Sequence, residues 1–220
     1  NAPKWITSVD LDGDLLQDLV VANFGDADVS VLRGLGGGLF DAPESAIVGE
    51  YPLHVTAADF DQDGHADVAV VNNGSSDVSI LRGHGDATLG DAIFLEDVYS
   101  PTDLLAADLD LDGLPDLVAS SYFSLEVSVV LAEGGGAFLP ASPLHTGCFP
   151  RDTLVHDFDG DHVPDVLVVG VSPSTLSVFL GQGSGTFGFP QAMPLAQHPE
   201  GDVAVLHANA DDIPDVAVVY

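Results

Sequence analysis

A nine-residue motif with acidic side chains at its first, third, fifth and ninth positions returns at a constant interval along the chain. It begins at Asp10, Asp59, Asp108 and Asp157, so successive copies are 49 residues apart. The four copies read DLDGDLLQD, DFDQDGHAD, DLDLDGLPD and DFDGDHVPD, and a degraded fifth copy, HANADDIPD, begins at His207. Prolines keep the same interval at positions 3, 52, 101, 150 and 199. A fixed period of this length indicates a fold built from one repeated structural unit.

The sequence pattern of each repeat predicts four short strands. The first runs from the proline to the acidic motif, and the second is a valine-rich run such as DVAVVN that is apolar on both faces. An apolar run on both faces predicts a strand buried in the middle of a structure. The third strand alternates, as in DVSVLRG, and the fourth follows a glycine-rich hairpin and is the most polar, which suits an outer edge.

The predicted fold class is therefore all-β, a β-propeller of four-stranded blades with four complete 49-residue repeats and half of a fifth. A β-solenoid is the alternative, although its repeats are usually shorter. We expect a single domain over residues 1–220. Its repeats would span about 3–51, 52–100, 101–149, 150–198 and an incomplete 199–220.

The fifth repeat ends after its second strand, while Pro3 already begins a first strand. We therefore expect the 220 residues to be part of a larger propeller, or the last blade to be completed by another chain. An incomplete last blade has exposed strand edges, which promote self-association.

The charge balance restricts the possible partners. The chain has 35 Asp and Glu residues against 4 Lys and Arg, a formal net charge of −31, so it would repel nucleic acid and anionic membrane surfaces. No apolar run approaches the roughly 18 residues that a membrane-spanning helix needs, so no membrane insertion is expected. Hydrophobic residues make up 46% of the chain, so its acidity does not indicate disorder. This composition fits a cation-binding or secreted protein.

The acidic motif predicts a calcium site in each of four loops. Alternating carboxylates in a tight loop can converge on one point, position 7 can add a backbone carbonyl, and such hard oxygen donors suit Ca²⁺ better than Mg²⁺ or Zn²⁺. The predicted carboxylate ligands are Asp10, Asp12, Asp14, Asp18, Asp59, Asp61, Asp63, Asp67, Asp108, Asp110, Asp112, Asp116, Asp157, Asp159, Asp161 and Asp165. The predicted carbonyl ligands belong to Leu16, His65, Leu114 and Val163. We expect about four ions and a degenerate fifth loop over residues 207–215.

Two other interpretations of the acidic motif are weaker. An EF-hand needs a bidentate Glu at position 12 and flanking helices, whereas position 12 is Val21, Val70, Ala119 or Val168 within a strand. A turn stabilised by Asx hydrogen bonds needs one or two such residues, not four at fixed offsets in four copies. The second and third loops have glycine at position 6, whereas the first and fourth have Leu15 and His162 there. In the first and fourth loops a glycine lies two residues earlier, so we expect these two sites to be slightly weaker.

The repeats resemble the FG-GAP/VCBS repeats of integrin α-chain propellers and of many bacterial secreted proteins. The resemblance rests on the D-x-D-x-D-G-x-x-D loop with its following strand, complete at 59–71 and 108–119, and on the turns GDATL, GGGAF and GSGTF. The Phe-Gly/Gly-Ala-Pro signature is only loosely present, as LFDAP and FGFP. The resemblance implies that calcium loops join strands 1 and 2 on one rim and stiffen the blades. It also implies an extracellular, secreted or cell-surface protein whose partner binds on the opposite rim.

On that opposite rim we expect the segments that vary most among the copies to contact a protein or glycan partner, although loop drift would give the same variation. Exposed aromatic side chains there suit stacking on sugars, and some propellers of the resembling family are lectins. The candidate partner-binding residues are Trp5, Phe24, His54, Asn73, Tyr122 and Phe149.

We do not expect an enzyme. The eight histidines fall at unrelated repeat positions, and no nucleophile elbow or phosphate-binding loop is present. The sequence therefore predicts a calcium-binding adhesion or recognition scaffold. A lectin-like propeller and a non-catalytic propeller domain of a larger secreted enzyme are the alternatives.

Overall fold

The computed structural model of the protein describes residues 2–200, 203–206 and 214–219. Over these residues it consists of antiparallel sheets and turns, without a helix that could span a membrane. Four sheets have four strands each, and we call them blades 1 to 4 in chain order. A two-stranded sheet follows them and is called blade 5.

The first two repeats form blades 1 and 2. Blade 1 and its small hairpin contain β1 (Pro3–Val9), β2 (Asp18–Asn23), β3 (Asp28–Leu32), β4 (Gly34–Gly36), β5 (Leu39–Phe40) and β6 (Glu44–Ile47). Blade 2 contains β7 (Pro52–Ala58), β8 (Asp67–Asn72), β9 (Asp77–Leu81) and β10 (Ile93–Leu95). In blade 2 the small hairpin is reduced to a single bridge between Gly83 and Leu89.

The remaining repeats follow the same plan. Blade 3 and its hairpin contain β11 (Asp103–Ala107), β12 (Asp116–Ser121), β13 (Glu126–Val130), β14 (Ala132–Gly134), β15 (Ala137–Phe138) and β16 (Ser142–His145). Blade 4 contains β17 (Pro150–His156), β18 (Asp165–Val171), β19 (Ser174–Phe179) and β20 (Gln191–Pro194). The described part of blade 5 contains β21 (Val203–Leu206) and β22 (Asp215–Val218).

Within each four-stranded blade the strands lie in chain order, and the first strand forms one edge. The first strands of successive blades contact one another, so they line a common axis, as the blades of a propeller do. The fourth strands form the other edge and carry mostly exposed side chains, as predicted for an outer strand.

The hydrophobic core lies between blades rather than within them. Apolar side chains on the second and third strands of one blade pack against the first and second strands of the next, and this arrangement occurs at all four junctions. At the first junction Val20 and Val29 of blade 1 contact the cluster that contains Val55, Val68 and Val70 of blade 2. Blades 2, 3 and 4 each have a neighbour on both faces, which explains why their second strands are apolar on both faces.

The prediction that the second strands are fully buried is confirmed for β8, β12 and β18 but not for β2. All side chains of those three strands are buried, whereas Leu19 and Val21 of β2 are half-buried. The reason is that blade 1 has a described neighbour on one face only. On its other face Ile6 is 54% exposed, although its counterpart Val55 in blade 2 is buried.

Val21 and Val70 occupy the same repeat position in different surroundings, which gives a matched test of the packing between blades. We expect Val70→Ala to lower the free energy of unfolding by about 2 kcal/mol, because it removes buried methyl groups and leaves a cavity. Val21→Ala should cost less than about 1 kcal/mol. Urea unfolding of both variants measures the difference, and equal costs would mean that the blade 1 face is covered as well.

Candidate metal centres

Each acidic loop connects the first two strands of its blade. Strand pairing closes the first loop at Val9 and Asp18 and the second at Ala58 and Asp67, so the position 9 aspartate is the first residue of strand 2. The apolar residue at position 2 enters the core between blades, as the fully buried Phe60 does. The loop is therefore anchored at both ends by burial.

The position 9 aspartate joins the loop to the segment that follows strand 3. In blade 2, Asp67 accepts a hydrogen bond from the Phe60 N–H at 2.9 Å through one carboxylate oxygen and from the Gly83 N–H at 2.8 Å through the other. The same two bonds recur in every four-stranded blade, at 2.7–2.9 Å. These four aspartates, Asp18, Asp67, Asp116 and Asp165, are all buried. We call this arrangement the aspartate clamp.

Ionisation is unfavourable for three of the four clamp carboxylates. Burial raises the pKa of Asp67, Asp116 and Asp165, and the charges of neighbouring loop aspartates raise it further, while the two N–H donors oppose the shift. Burial likewise raises the pKa of Asp110. A raised carboxyl pKa means that the folded loop disfavours the ionised form. A bound cation would relieve this cost.

The other loop carboxylates order the backbone around them. In the second loop Asp59 accepts from the Gly64 N–H at 3.0 Å, Asp61 accepts from the Asp63 N–H at 3.1 Å, and Asp63 accepts from the His65 N–H at 2.8 Å. Equivalent bonds are present in the other three loops. Asx-type hydrogen bonds are thus present, and they hold the carboxylates in a fixed arrangement.

Backbone conformation explains why the loop glycine moves between repeats. Positions 4 and 6 both have positive φ in all four loops, and each loop has glycine at only one of them. The first loop has Gly13 at +75° and Leu15 at +67°, while the second has Gln62 at +60° and Gly64 at +92°. Either arrangement leaves one non-glycine residue in the left-handed region, which is sparsely populated for such residues. Leu15 and His162 therefore do not change the shape of the loop.

Three of the four predicted carboxylates of each loop come together. Oxygens of positions 1, 3 and 9 lie within 4.8 Å of one another in the groups Asp10–Asp12–Asp18, Asp59–Asp61–Asp67, Asp108–Asp110–Asp116 and Asp157–Asp159–Asp165. Oxygens that bind one Ca²⁺ at 2.3–2.6 Å are separated by at most about 5 Å. The spacing and the hard oxygen chemistry both fit a calcium ion.

The remaining predicted ligands are less directly placed. The position 5 aspartates, Asp14, Asp63, Asp112 and Asp161, lie outside these close groups and accept from the N–H of position 7 at 2.8 Å. The carbonyl ligands assigned to Leu16, His65, Leu114 and Val163 stay a prediction. The degenerate fifth loop lies outside the described residues, except for Pro214 and Asp215 at its end.

Sequence reasoning missed two arginines that pair with the loops. Arg33 Nε lies 2.5 Å from Asp12 Oδ2, and Arg82 Nη1 lies 3.2 Å from Asp61 Oδ2. Both occupy the position directly after strand 3, and they are two of only four Lys and Arg residues in the chain. The sequence did carry a signal for these contacts, because an arginine stands at the same repeat position in two repeats of a very acidic chain.

Several candidate partner-binding residues contact a neighbouring blade. Phe24 stacks on Tyr51 with ring centroids 4.7 Å apart, and Tyr122 stacks on Phe149 at 5.5 Å. These pairs occupy equivalent positions in alternate repeats. Between them in sequence, the Asn73 side chain donates to the carbonyls of Ser100 and Pro101 at 3.3 and 3.2 Å. These contacts give the residues a structural role beside any role in binding.

Trp5 and His54 lie together at a cavity of about 360 Å³ between first strands, which we call the axial cavity. The cavity is lined in part by Trp5, His54, Asp103 and Asp152, which occupy one repeat position in blades 1 to 4. The Trp5 and His54 rings are 3.9 Å apart, and His54 Nε2 lies 3.3 Å from Asp103. Burial lowers the pKa of His54 to about 4, although the charge of Asp152 raises it. The imidazole is therefore neutral at pH 7, and Trp5, 46% exposed, presents the accessible ring.

Comparison with known families identifies the type of repeat. A family model described as an FG-GAP-like repeat matches residues 10–70, 59–119 and 157–218, which together cover most of the chain. Each matched segment begins at the first aspartate of an acidic loop and runs into the second strand of the next repeat. No curated protein matches the chain in sequence.

Solved structures share the fold. An Agrocybe aegerita lectin that recognises non-reducing terminal N-acetylglucosamine has a TM-score of 0.66 and 21% identity, over 96% of this chain and 59% of the lectin. BBS1N from its complex with ARL6DN has a TM-score of 0.64 and 16% identity, over 90% of this chain and 59% of that chain. The V. cholerae biofilm matrix protein Bap1 has a TM-score of 0.55 and 16% identity, over 99% of this chain and 34% of that chain. These similarities confirm the predicted β-propeller. The chain spans less than two thirds of the length of each structure.

The aspartate clamp predicts a large cost for one substitution in the acidic loop. Asp67→Ala should lower the free energy of unfolding by about 2–5 kcal/mol in the presence of a chelator, because it leaves the buried N–H groups of Phe60 and Gly83 without an acceptor. Asp67→Asn keeps one acceptor oxygen and should cost less. Asp63→Ala in the same loop is the control, since its carboxylate is exposed and should cost less than about 1 kcal/mol. Equal costs for Asp67→Ala and Asp63→Ala in chemical denaturation would contradict the clamp.

Proposed function

The chain belongs to the FG-GAP-like repeat family, and we propose that it is a calcium-stabilised β-propeller that serves as an extracellular recognition scaffold. The observation that carries this proposal is the fourfold recurrence of three carboxylates within 4.8 Å of one another at the same place in each blade. A single acidic cluster is common on protein surfaces, whereas four copies with one hydrogen-bond pattern indicate a selected arrangement.

Calcium fits these loops better than the other common metal ions of proteins. The donor groups are carboxylates, joined by the predicted position 7 carbonyls, and no sulfur or imidazole ligand belongs to the four close groups. Ca²⁺ accepts six to eight oxygens in flexible geometry, while Mg²⁺ keeps more of its water. Four ions would offset part of the net charge of −31. An ion that binds only the folded loops stabilises the folded state by mass action.

The aspartate clamp gives the proposed ion a structural role. Asp67 belongs to the acidic group of its loop and also holds Phe60 and Gly83, so an ion there would reinforce the connection between the loop and the end of strand 3. A shared carboxylate of this kind stiffens one rim of the propeller. The opposite rim and the axial cavity are then available for a partner.

We expect Ca²⁺ to raise the melting temperature of chelated protein by 10 °C or more, since several ions that bind the folded state contribute together. Mg²⁺ at the same concentration should be much less effective. Calorimetry should find about four Ca²⁺ per chain, and Asp61→Asn combined with Asp110→Asn should remove or weaken two of them. The absence of a thermal shift with Ca²⁺ would overturn the metal assignment.

Several features support a recognition role outside the cell rather than catalysis. Extracellular Ca²⁺ is abundant enough to fill modest sites, whose dissociation constants in extracellular modules are about 10⁻⁴–10⁻³ M. The ordered carboxylates are engaged in the loops, and the chain has a single, buried cysteine. In a larger secreted enzyme the chain would act as a non-catalytic domain.

A glycan is a second candidate partner, favoured by the axial cavity. Trp5 offers an exposed aromatic ring beside the carboxylates of Asp103 and Asp152 in a volume of about 360 Å³, which suits a monosaccharide. An aromatic platform next to hydrogen-bonding side chains is an arrangement that binds sugars. The lectin that shares the fold recognises a terminal sugar, and this makes the same ligand class worth testing here.

A glycan array with calcium-loaded protein should identify a bound sugar, and Trp5→Ala should weaken that binding at least tenfold because the stacking surface is lost. Phe189→Ala is the control, since this phenylalanine is 98% exposed and does not line the cavity. Binding that survives Trp5→Ala would place the sugar elsewhere, and no binding would leave a protein as the candidate partner. A parallel hydrolase screen tests the non-catalytic assignment, which turnover by pure protein would contradict.

A further inference from the structure

The residue directly after strand 3 divides the four acidic loops into two pairs. This repeat position is occupied by Arg33, Arg82, Leu131 and Leu180 in blades 1 to 4. The next residue in each blade donates its N–H to the clamp aspartate. The clamp therefore holds this position at the acidic loop in every blade. Blades 1 and 2 have a positively charged side chain at this position, and blades 3 and 4 have an aliphatic one.

In blades 1 and 2 the arginine binds a carboxylate that belongs to the close acidic group. Arg33 Nε lies 2.5 Å from Asp12 Oδ2, and its Nη2 lies 3.7 Å from Asp14 Oδ2. Arg82 Nη1 lies 3.2 Å from Asp61 Oδ2. The Asp12 and Asp61 side chains are only 5% and 7% exposed, whereas the two arginine side chains are 48% and 46% exposed. Each contact is therefore shielded from solvent on its carboxylate side and open to solvent on its guanidinium side.

Arg82 also connects its loop to the following blade. Its Nη2 donates to the Gly135 carbonyl in the small hairpin of blade 3 at 2.6 Å. A Cβ at Gly136 would lie 2.6 Å from this nitrogen, so the guanidinium fits because the hairpin has glycine there. One side chain thus holds both an acidic group of blade 2 and the backbone of blade 3.

Blades 3 and 4 have a different contact at this position. Leu131 belongs to the apolar cluster between these blades, and a Cβ at Gly185 would lie 2.4 Å from it. In the fourth loop the imidazole Nδ1 of His162 lies 3.6 Å from Asp157, on a side chain that is 95% exposed, and this contact is an ion pair only when the ring is protonated. Solvent screens that contact strongly.

We propose that Arg33 and Arg82 are built-in counter-ions that weaken Ca²⁺ binding in the first two loops, so that the third and fourth loops fill first. This inference rests on the proposed calcium function. Each guanidinium already satisfies a carboxylate that the ion would use, and it repels a second cation placed beside it. The same pairing stabilises the calcium-free loop. Arg33 and Arg82 therefore determine the order of calcium loading, and the first two loops depend less on the ion for their stability.

Calorimetric titration of the 220-residue chain with Ca²⁺ tests the order of loading. We expect two tight and two weak sites, separated by about tenfold or more in dissociation constant. The double variant Arg33→Leu/Arg82→Leu should move the weak sites into the tight class. Leu180→Arg should move one tight site into the weak class, and Leu131→Arg should do the same if the junction between blades 3 and 4 accommodates it.

Arg151→Leu is the matched control, because it removes the same charge from a side chain that donates to the Glu200 carbonyl, away from the loops. It should leave both classes unchanged. A second measurement is the melting temperature in chelator, which Arg82→Leu should lower. Added Ca²⁺ should then raise the melting temperature of this variant by more than it raises that of the parent chain.

The possible results separate this inference from the proposal on which it rests. If no variant binds Ca²⁺, the calcium function itself is wrong. If Ca²⁺ binds but the double arginine variant leaves the weak sites unchanged, or Arg151→Leu has the same effect as that variant, the counter-ion role is wrong.

Discussion

The buried aspartate at the end of each acidic loop is the interaction on which the rest of the blade depends. Asp67 and its three counterparts each satisfy two backbone N–H groups that lie 7 and 16 residues away in opposite directions. A buried N–H without an acceptor is costly, so these bonds fix the loop and the end of strand 3 together. That connection holds the acidic loop beside the segment that carries Arg33 or Arg82 in blades 1 and 2.

The same loops concentrate negative charge, and the protein balances it in more than one way. Backbone N–H groups surround the carboxylates of every loop, and two loops add a guanidinium. Burial still raises the pKa of Asp67, Asp116 and Asp165, whether or not an arginine pairs with the loop. The guanidinium contacts are thus unevenly distributed among repeats whose acidic motifs are alike.

The junctions between blades show how one scaffold accommodates different residues. In blade 2 the buried Asn72 side chain donates to Asp77 and Ser79 near the end of its strand. Glycine replaces this asparagine in blade 4, and a Cβ at Gly170 would lie only 2.1 Å from Cys148 Sγ. The thiol thus fills the space of a polar side chain. Such exchanges, like the Phe24–Tyr51 and Tyr122–Phe149 stacks, keep the junctions packed while the rim residues vary.

The sequence by itself determined the repeat, the four strands of each blade, the buried middle strand and the acidic loops, because these depend on residue types that recur every 49 positions. It also placed Asp10, Asp12 and Asp18 in one candidate site, since they lie in a single tight loop. Only the tertiary structure decided which aspartate is buried, why either of two loop positions serves for glycine, and where Arg82 binds. The Arg82 contact with Gly135 joins residues 53 positions apart in different blades. Local pattern carries no information on such contacts, because they arise only when one blade packs against the next.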